Sequence, residues 1–231
     1  MYSQTKIAIP IFKEDKKSVL EEVDTAVIRG ADLIEFRIDG MNNPTEDIVC
    51  DIIDEIPLPV IATNRVDSEG GSFKGNEEER ISLLNEAAKI ADYVDIELQT
   101  DLKYIKEVTS HKSESIISFH DFNKTPPLET LLDIVDREKI LGDIAKVALM
   151  PNSLEDTITV LTVLSHCEDT IAISMGDIGS YTRIIASKFN APITFAVTTN
   201  STAPGQIDIE TMRLLLNNDI LDLDSLGDLN E

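Results

Sequence analysis

The chain has 231 residues, is 42% hydrophobic and 27% charged, and carries a formal net charge of −23. That content supports an ordinary globular core, while so acidic a surface excludes nucleic acid and anionic membranes as partners and reads as serving solubility. No apolar run approaches the roughly 18 residues of a membrane span, and the opening stretch is too short for a signal peptide.

From the start, residues 6–12 read as a strand and 14–29 as a helix, with Val19, Leu20, Val23, Ala26 and Val27 at helical spacing. Gly30 occupies the position after a helix C-cap. Residues 31–39 form the next strand and 44–55 a helix, with Pro44 in its first turn. Strands over 59–65, 93–98 and 115–122 alternate with helices over 77–90, 101–110 and 126–139. The strand 144–151 precedes a helix over 153–166. A strand over 170–175 leads through Gly176 and Gly179 to a helix over 180–189. The last strand, 192–197, is followed by a loop with Pro204 and Gly205 and a helix over 208–217. The tail, 219–231, is acidic and reads as a short helix or a frayed end.

Eight strand–helix repeats imply parallel strands joined by helical crossovers. This number predicts one (β/α)8 TIM barrel over residues 1–231, an α/β fold with an outer ring of helices. An open doubly wound sheet is the alternative.

Barrel enzymes place their chemistry at the C-terminal ends of the strands. Lys146 lies in an otherwise apolar strand there. Burial would disfavour its charged form, and a neutral amine can form a Schiff base with a carbonyl. A structural lysine neutralised by a buried carboxylate is the competing reading. Glu35, Arg37 and Asp39 alternate onto one face of the second strand. Arg65 ends the third strand with Glu69 just beyond, Asp95 and Glu97 lie on the fourth, and His120 and Asp121 end the fifth. Met175 ends the seventh and Arg183 follows the glycine turn. Asp95 and Glu97 lack a third ligand at metal spacing and read as structural. The 77–80 segment, Glu-Glu-Glu-Arg, reads as a solvated helical turn, and His111 and His166 as polar helix ends. Cys50 and Cys167 stand far apart, which fits a reducing cytosol. A Schiff-base lysine, a histidine and several arginines at one mouth suit proton abstraction beside a carbonyl of an anionic substrate, with no metal or organic cofactor required.

The pieces Glu-Phe-Arg-Ile-Asp (35–39), Thr-Asn-Arg with Glu-Gly-Gly (63–65, 69–71), Ser-Phe-His-Asp-Phe (118–122), the Lys146 strand, Met-Gly (175–176) with Arg183, and Ala-Pro-Gly-Gln (203–206) occur in one order. Together they resemble the type I 3-dehydroquinate dehydratases over residues 31–207. The resemblance implies conversion of 3-dehydroquinate to 3-dehydroshikimate in the shikimate pathway by a cytoplasmic homodimer. It further implies an imine on Lys146, His120 as general acid and base, and Glu69 orienting His120. Glu35, Arg37 and Arg65 would bind ring hydroxyls, and Arg183 and Gln206 the carboxylate. Met175 and Phe195 would pack on the ring, under a lid over 198–206. Thr202 stands where the family commonly has serine and keeps the hydroxyl. Residues 1–5 look too short for the strand pair that closes the barrel bottom in some members. The rivals are a class I aldolase on the same barrel and a non-catalytic barrel.

Overall fold

The computed structural model describes residues 5–198 and 205–217. Thr202, most of the expected lid, residues 1–4 and the 219–231 tail therefore lie outside the described residues.

Eight strands follow one another around a parallel sheet: β1 (Lys6–Ile11), β2 (Leu33–Arg37), β3 (Val60–Thr63), β4 (Tyr93–Glu97), β5 (Glu114–Asp121), β6 (Ile144–Leu149), β7 (Thr170–Ser174) and β8 (Ile193–Val197). Each of β1 to β6 pairs in parallel with the next, and β8 pairs with β1. Among the described residues no hydrogen-bonded ladder joins β7 to β8. Inner side chains of both strands, Ile171 and Ile173 with Ile193 and Phe195, nevertheless share one cluster, so packing brings those edges together. A short β9 (Ile207–Asp208) extends β8 and was not expected from the sequence.

The outer layer holds α1 (Lys16–Ile28), α2 (Glu46–Glu55), α3 (Glu77–Ala88), α4 (Leu102–Val108), α5 (Leu128–Leu141) and α6 (Leu154–His166). Their starts are set locally. Asp15 accepts from Ser18 N before α1, and Asn76 with Glu79 and Ser153 with Asp156 form capping boxes before α3 and α6. Their apolar faces and the outward side chains of the strands make the larger core.

Two expected elements are corrected. The single helix expected over 180–189 is broken into α7 (Gly176–Gly179), α8 (Thr182–Ile185) and a 3-10 turn, Ala186–Phe189. Thr182 Oγ1 donates to Gly179 O and accepts from Ser174 N. These bonds fold the segment back onto the end of β7 and bury Arg183. Arg80 is the second. Instead of lying in a solvated turn it is 2% exposed, because it shares the inward face of α3 with Leu84, Ala87 and Ala88. After β9 the described chain ends in α9 (Ile209–Asn217).

Candidate active site

The strand period of two builds the barrel interior in layers. Leu33, Ile61, Tyr93, Ile116 and Ile144 form an apolar floor. Two residues further along β2 to β6 come Glu35, Thr63, Asp95, Ser118 and Lys146, all buried. Two further again come Arg37, Arg65, Glu97, His120 and Ala148. On β7 and β8 the same positions are apolar, with Ile171, Ile173, Ile193 and Phe195, and Met175 just past β7. The mouth thus has one charged wall and one greasy wall.

A cavity of about 70 Å³ opens between them. It is lined by Lys146, His120, Glu69, Glu35, Arg37, Arg65, Arg183, Gln206, Met175 and Phe195. Of the residues singled out in the sequence for catalysis or binding, only Thr202, outside the described residues, is not among them. A larger cleft of about 610 Å³ lies elsewhere, between residues 41–46 and 73–83, and none of these residues lines it.

Lys146 is 4% exposed but is not a stranded cation. Its Nζ donates to Asp95 Oδ2 at 2.7 Å, lies 3.5 Å from Glu35 Oε1, and sits 4.5 Å from the centre of the Phe195 ring. Asp95, read from sequence as structural, is therefore the counter-ion of Lys146. Its other oxygen accepts from Arg65 Nη2 at 2.7 Å and from Ser118 Oγ at 2.6 Å. Burial would raise the Asp95 carboxyl, but the charges of Arg65 and Lys146 outweigh it and hold the group well below the usual range. The inward i, i+2 spacing of Asp95 and Glu97 signalled a shared face; their partners, on other strands, were not visible locally.

His120 and Glu69 form the second unit. Glu69 Oε2 accepts from both the backbone N and the ring Nδ1 of His120, each at 2.9 Å. A carboxylate at Nδ1 fixes the tautomer that leaves Nε2 with a lone pair. The tight turn at Asp67–Glu69 makes this possible: Gly71 packs so closely that a Cβ there would stand 1.8 Å from Arg65 O. Burial, followed by the positive charges of Arg65 and Lys146, pushes the His120 imidazole well below its ordinary value, so it is neutral at pH 7. Burial pushes the Glu69 carboxyl up to about 7, partly opposed by Arg65.

The arginines differ in availability. Arg37 is held by Asp39 in a bidentate pair at 2.7 and 2.6 Å. Arg65 is tied to Asp95, Glu97 and Ser118. Despite the cost of burial, Asp95 and Glu97 raise it further above an already high value. Arg183 is 2% exposed and its Nε donates to Gly205 O at 3.1 Å. Gly205 lies against Gly176, where any side chain would meet backbone at 2.1 Å. Burial lowers Arg183 to about 10, so it stays cationic at neutral pH. His111, assigned no role, meets Asn85 on the outer layer at 2.8 Å.

Fold and site together define a barrel whose mouth gathers a buried lysine, a carboxylate-paired histidine and three arginines around one cavity. The family model of type I 3-dehydroquinase matches residues 7–221, and the chain belongs to that family. It is 59% identical to a 3-dehydroquinate dehydratase of Methanobrevibacter smithii, over 95% of this chain and 98% of that one. It is 50% identical to the enzyme of that name from Methanothermobacter thermautotrophicus, over 92% and 96%. Among solved structures, 3-dehydroquinate dehydratase from Geobacillus kaustophilus superposes with a TM-score of 0.86 at 28% identity, covering 99% of this chain and 93% of that one. The type I enzyme from Clostridium difficile, solved with covalently modified comenic acid, also gives 0.86 at 28%, over 93% and 92%.

Proposed function

We propose that Lys146 is the Schiff-base nucleophile, and His120 the acid–base residue, with which this chain dehydrates 3-dehydroquinate to 3-dehydroshikimate, a step of the shikimate pathway. The observation that carries the assignment is that Lys146 Nζ and the Glu69–His120 pair line one cavity with Arg183. In this reading the Lys146 ammonium gives up a proton, the amine attacks the C3 carbonyl, and that proton leaves with the carbonyl oxygen as water, giving an iminium. The iminium draws electrons from the neighbouring C2–H bond, and His120 Nε2 takes that proton. The resulting enamine expels the C1 hydroxyl, to which His120 returns the proton, so a second water departs. One water then hydrolyses the imine, releasing the enone and restoring the lysine. The net change is the loss of one water.

The charged wall fits the remaining roles. Glu35, Arg37 and Arg65 would hold ring hydroxyls, and Arg183 with Gln206 would take the carboxylate, since a guanidinium fork matches that geometry. Met175 and Phe195 offer an apolar face to the ring, and Thr202 would close on the carboxylate from the lid. Asp95, paired with Lys146, would keep the amine aimed at the cavity. We also assign the enzyme to the cytosol and to a homodimer. Two widely separated cysteines fit the first, and family resemblance supports the second. No helix among the described residues is long and apolar enough to cross a membrane.

Turnover assays decide between this and an aldolase. The chain should convert 3-dehydroquinate to a product with enone absorbance in the near ultraviolet and leave sugar phosphates intact. Cleavage of sugar phosphates alone would contradict the assignment.

A further inference from the structure

Behind the charged wall lies a further buried guanidinium, that of Arg80 on α3. All five N–H groups of Arg80 are used. Nε and Nη2 donate to the two oxygens of Glu77 at 2.8 Å, and Nη2 also to Thr100 Oγ1 at 3.2 Å. Nη1 donates to Asn64 O at 2.7 Å and to Glu97 Oε2 at 2.8 Å. Asn64 Nδ2 returns a bond to Arg80 O at 3.0 Å. Asn64 and Arg80 are 16 residues apart, so these bonds tie together the two ends of the segment that carries Arg65 and Glu69.

Glu97 transmits the same constraint inward. Its second oxygen accepts from Arg65 Nη1 and from Val66 N, each at 3.0 Å. Arg65 meets Asp95, and Asp95 meets Lys146. A line of alternating charge thus runs Arg80, Glu97, Arg65, Asp95, Lys146, every member of it buried. Nothing else among the described hydrogen bonds satisfies Glu97 Oε2.

We propose that Arg80 is a positioning residue for the dehydration: by clamping residues 64–80 and pairing with Glu97, it fixes the Arg65–Glu69 arm against His120. The proposal rests on the assignment of His120 as acid–base residue. Arg80 does not line the cavity, so its effect runs through Glu97 and the loop. Removing its charge leaves Glu97 less compensated. The groups that face the Glu69–His120 pair are Arg65, Arg37 and Lys146 on the positive side and Glu97 and Asp95 on the negative. A stronger field from Glu97 favours the protonated pair.

The test compares wild type, Arg80→Met and Arg80→Lys in the full chain, with two readouts. Steady-state turnover of 3-dehydroquinate across pH gives the catalytic effect, and NMR titration of the His120 ring reads the pair without substrate. For Arg80→Met we expect kcat to fall roughly 10- to 100-fold with a smaller change in KM, as for a misplaced catalytic group. The acid limb and the His120 titration should both move to higher pH. Borohydride should still trap the Lys146 imine, because the clamp acts on the proton-transfer arm. Arg80→Lys keeps the charge but loses the fork; its acid limb should match wild type while kcat stays several-fold low. If Arg80→Met does not fold, Arg80→Lys decides, and wild-type kcat in that variant would overturn the proposal. A folded Arg80→Met with wild-type kcat and unchanged His120 titration would overturn it as well. Absence of wild-type turnover with a shifted His120 titration would count against the dehydratase assignment and leave the clamp standing.

Discussion

Lys146 Nζ lies 2.7 Å from Asp95 Oδ2, and Asp95 Oδ1 lies the same distance from Arg65 Nη2. One carboxylate, fully enclosed, therefore balances two cations, Arg65 just past β3 and Lys146 on β6. Its contribution to stability has a definite sign with pH. The folded-state value is depressed, so stabilisation is complete above the unfolded value near 3.8 and is lost as pH falls through the folded value.

Asp95→Asn leaves Lys146 and Arg65 with one anion fewer in a buried site. The expected cost is about 3–5 kcal/mol, the range for breaking a buried ion pair from one side. Urea unfolding at pH 7 measures it. Because the ionised carboxylate is what stabilises, the difference from wild type should shrink in acid. A cost below about 1 kcal/mol would show that Asp95 is not the counter-ion described.

His120→Ala should separate the two chemical stages. Imine formation on Lys146 should remain detectable, while kcat falls by roughly 10²–10⁴, the share carried by general acid–base catalysis. Rapid-quench trapping beside steady-state turnover gives both numbers. Loss of trapping together with turnover would assign His120 to carbonyl attack instead.

The Glu69–His120 pair titrates as a unit. With Glu69 raised to about 7 and His120 lowered, kcat/KM should decline below about pH 7 as the pair takes up a proton. Glu69→Gln removes the anion that favours a protonated imidazole, so the limb should move to lower pH while kcat drops. Since the folded value of Glu69 lies above its unfolded value near 4.5, its stabilisation is present in acid and lost as pH rises through about 7. Glu69→Gln should thus be at least as stable as wild type above neutrality. An unmoved acid limb would count against the pair.

Glu138 on α5 is 0% exposed, and no side chain hydrogen-bonds its carboxyl oxygens. Burial, then repulsion from Asp95 and Glu69, raises it well above the usual carboxyl range against a favourable backbone N–H at Lys146. It favours the fold fully only below the unfolded value, and that advantage fades as pH climbs through the raised value. Glu138→Gln removes the charge that the buried carboxyl must carry in alkali, so it should raise stability there and change little near pH 5. Equal melting temperatures of the two proteins at pH 9 would refute this.

The barrel and most of its mouth were legible in the sequence for a common reason. Parallel strands buried on both faces write themselves as short apolar runs, so polar residues such as Glu35, His120 and Lys146 stand out against them. Motif order then supplied roles that spacing alone left open. What stayed hidden was pairing across the barrel. Asp95 and Glu97 read as a structural carboxylate pair until β4 and β6 were brought to the same layer. Arg80 looked solvated because its neighbours 77–79 are acidic, whereas its inward direction depends on Leu84 and Ala87 one and two turns later. The break between α7 and α8 depends on Thr182 reaching back to Ser174 N, a tertiary bond with no periodic signature.

The Schiff-base assignment is tested most directly by borohydride reduction of the protein with 3-dehydroquinate, followed by digestion and mass spectrometry. A substrate-sized adduct is expected on Lys146 and on no other lysine, and none in Lys146→Ala. A folded protein that turns over substrate yet leaves Lys146 unmodified would contradict the assignment and make the lysine a structural partner of Asp95.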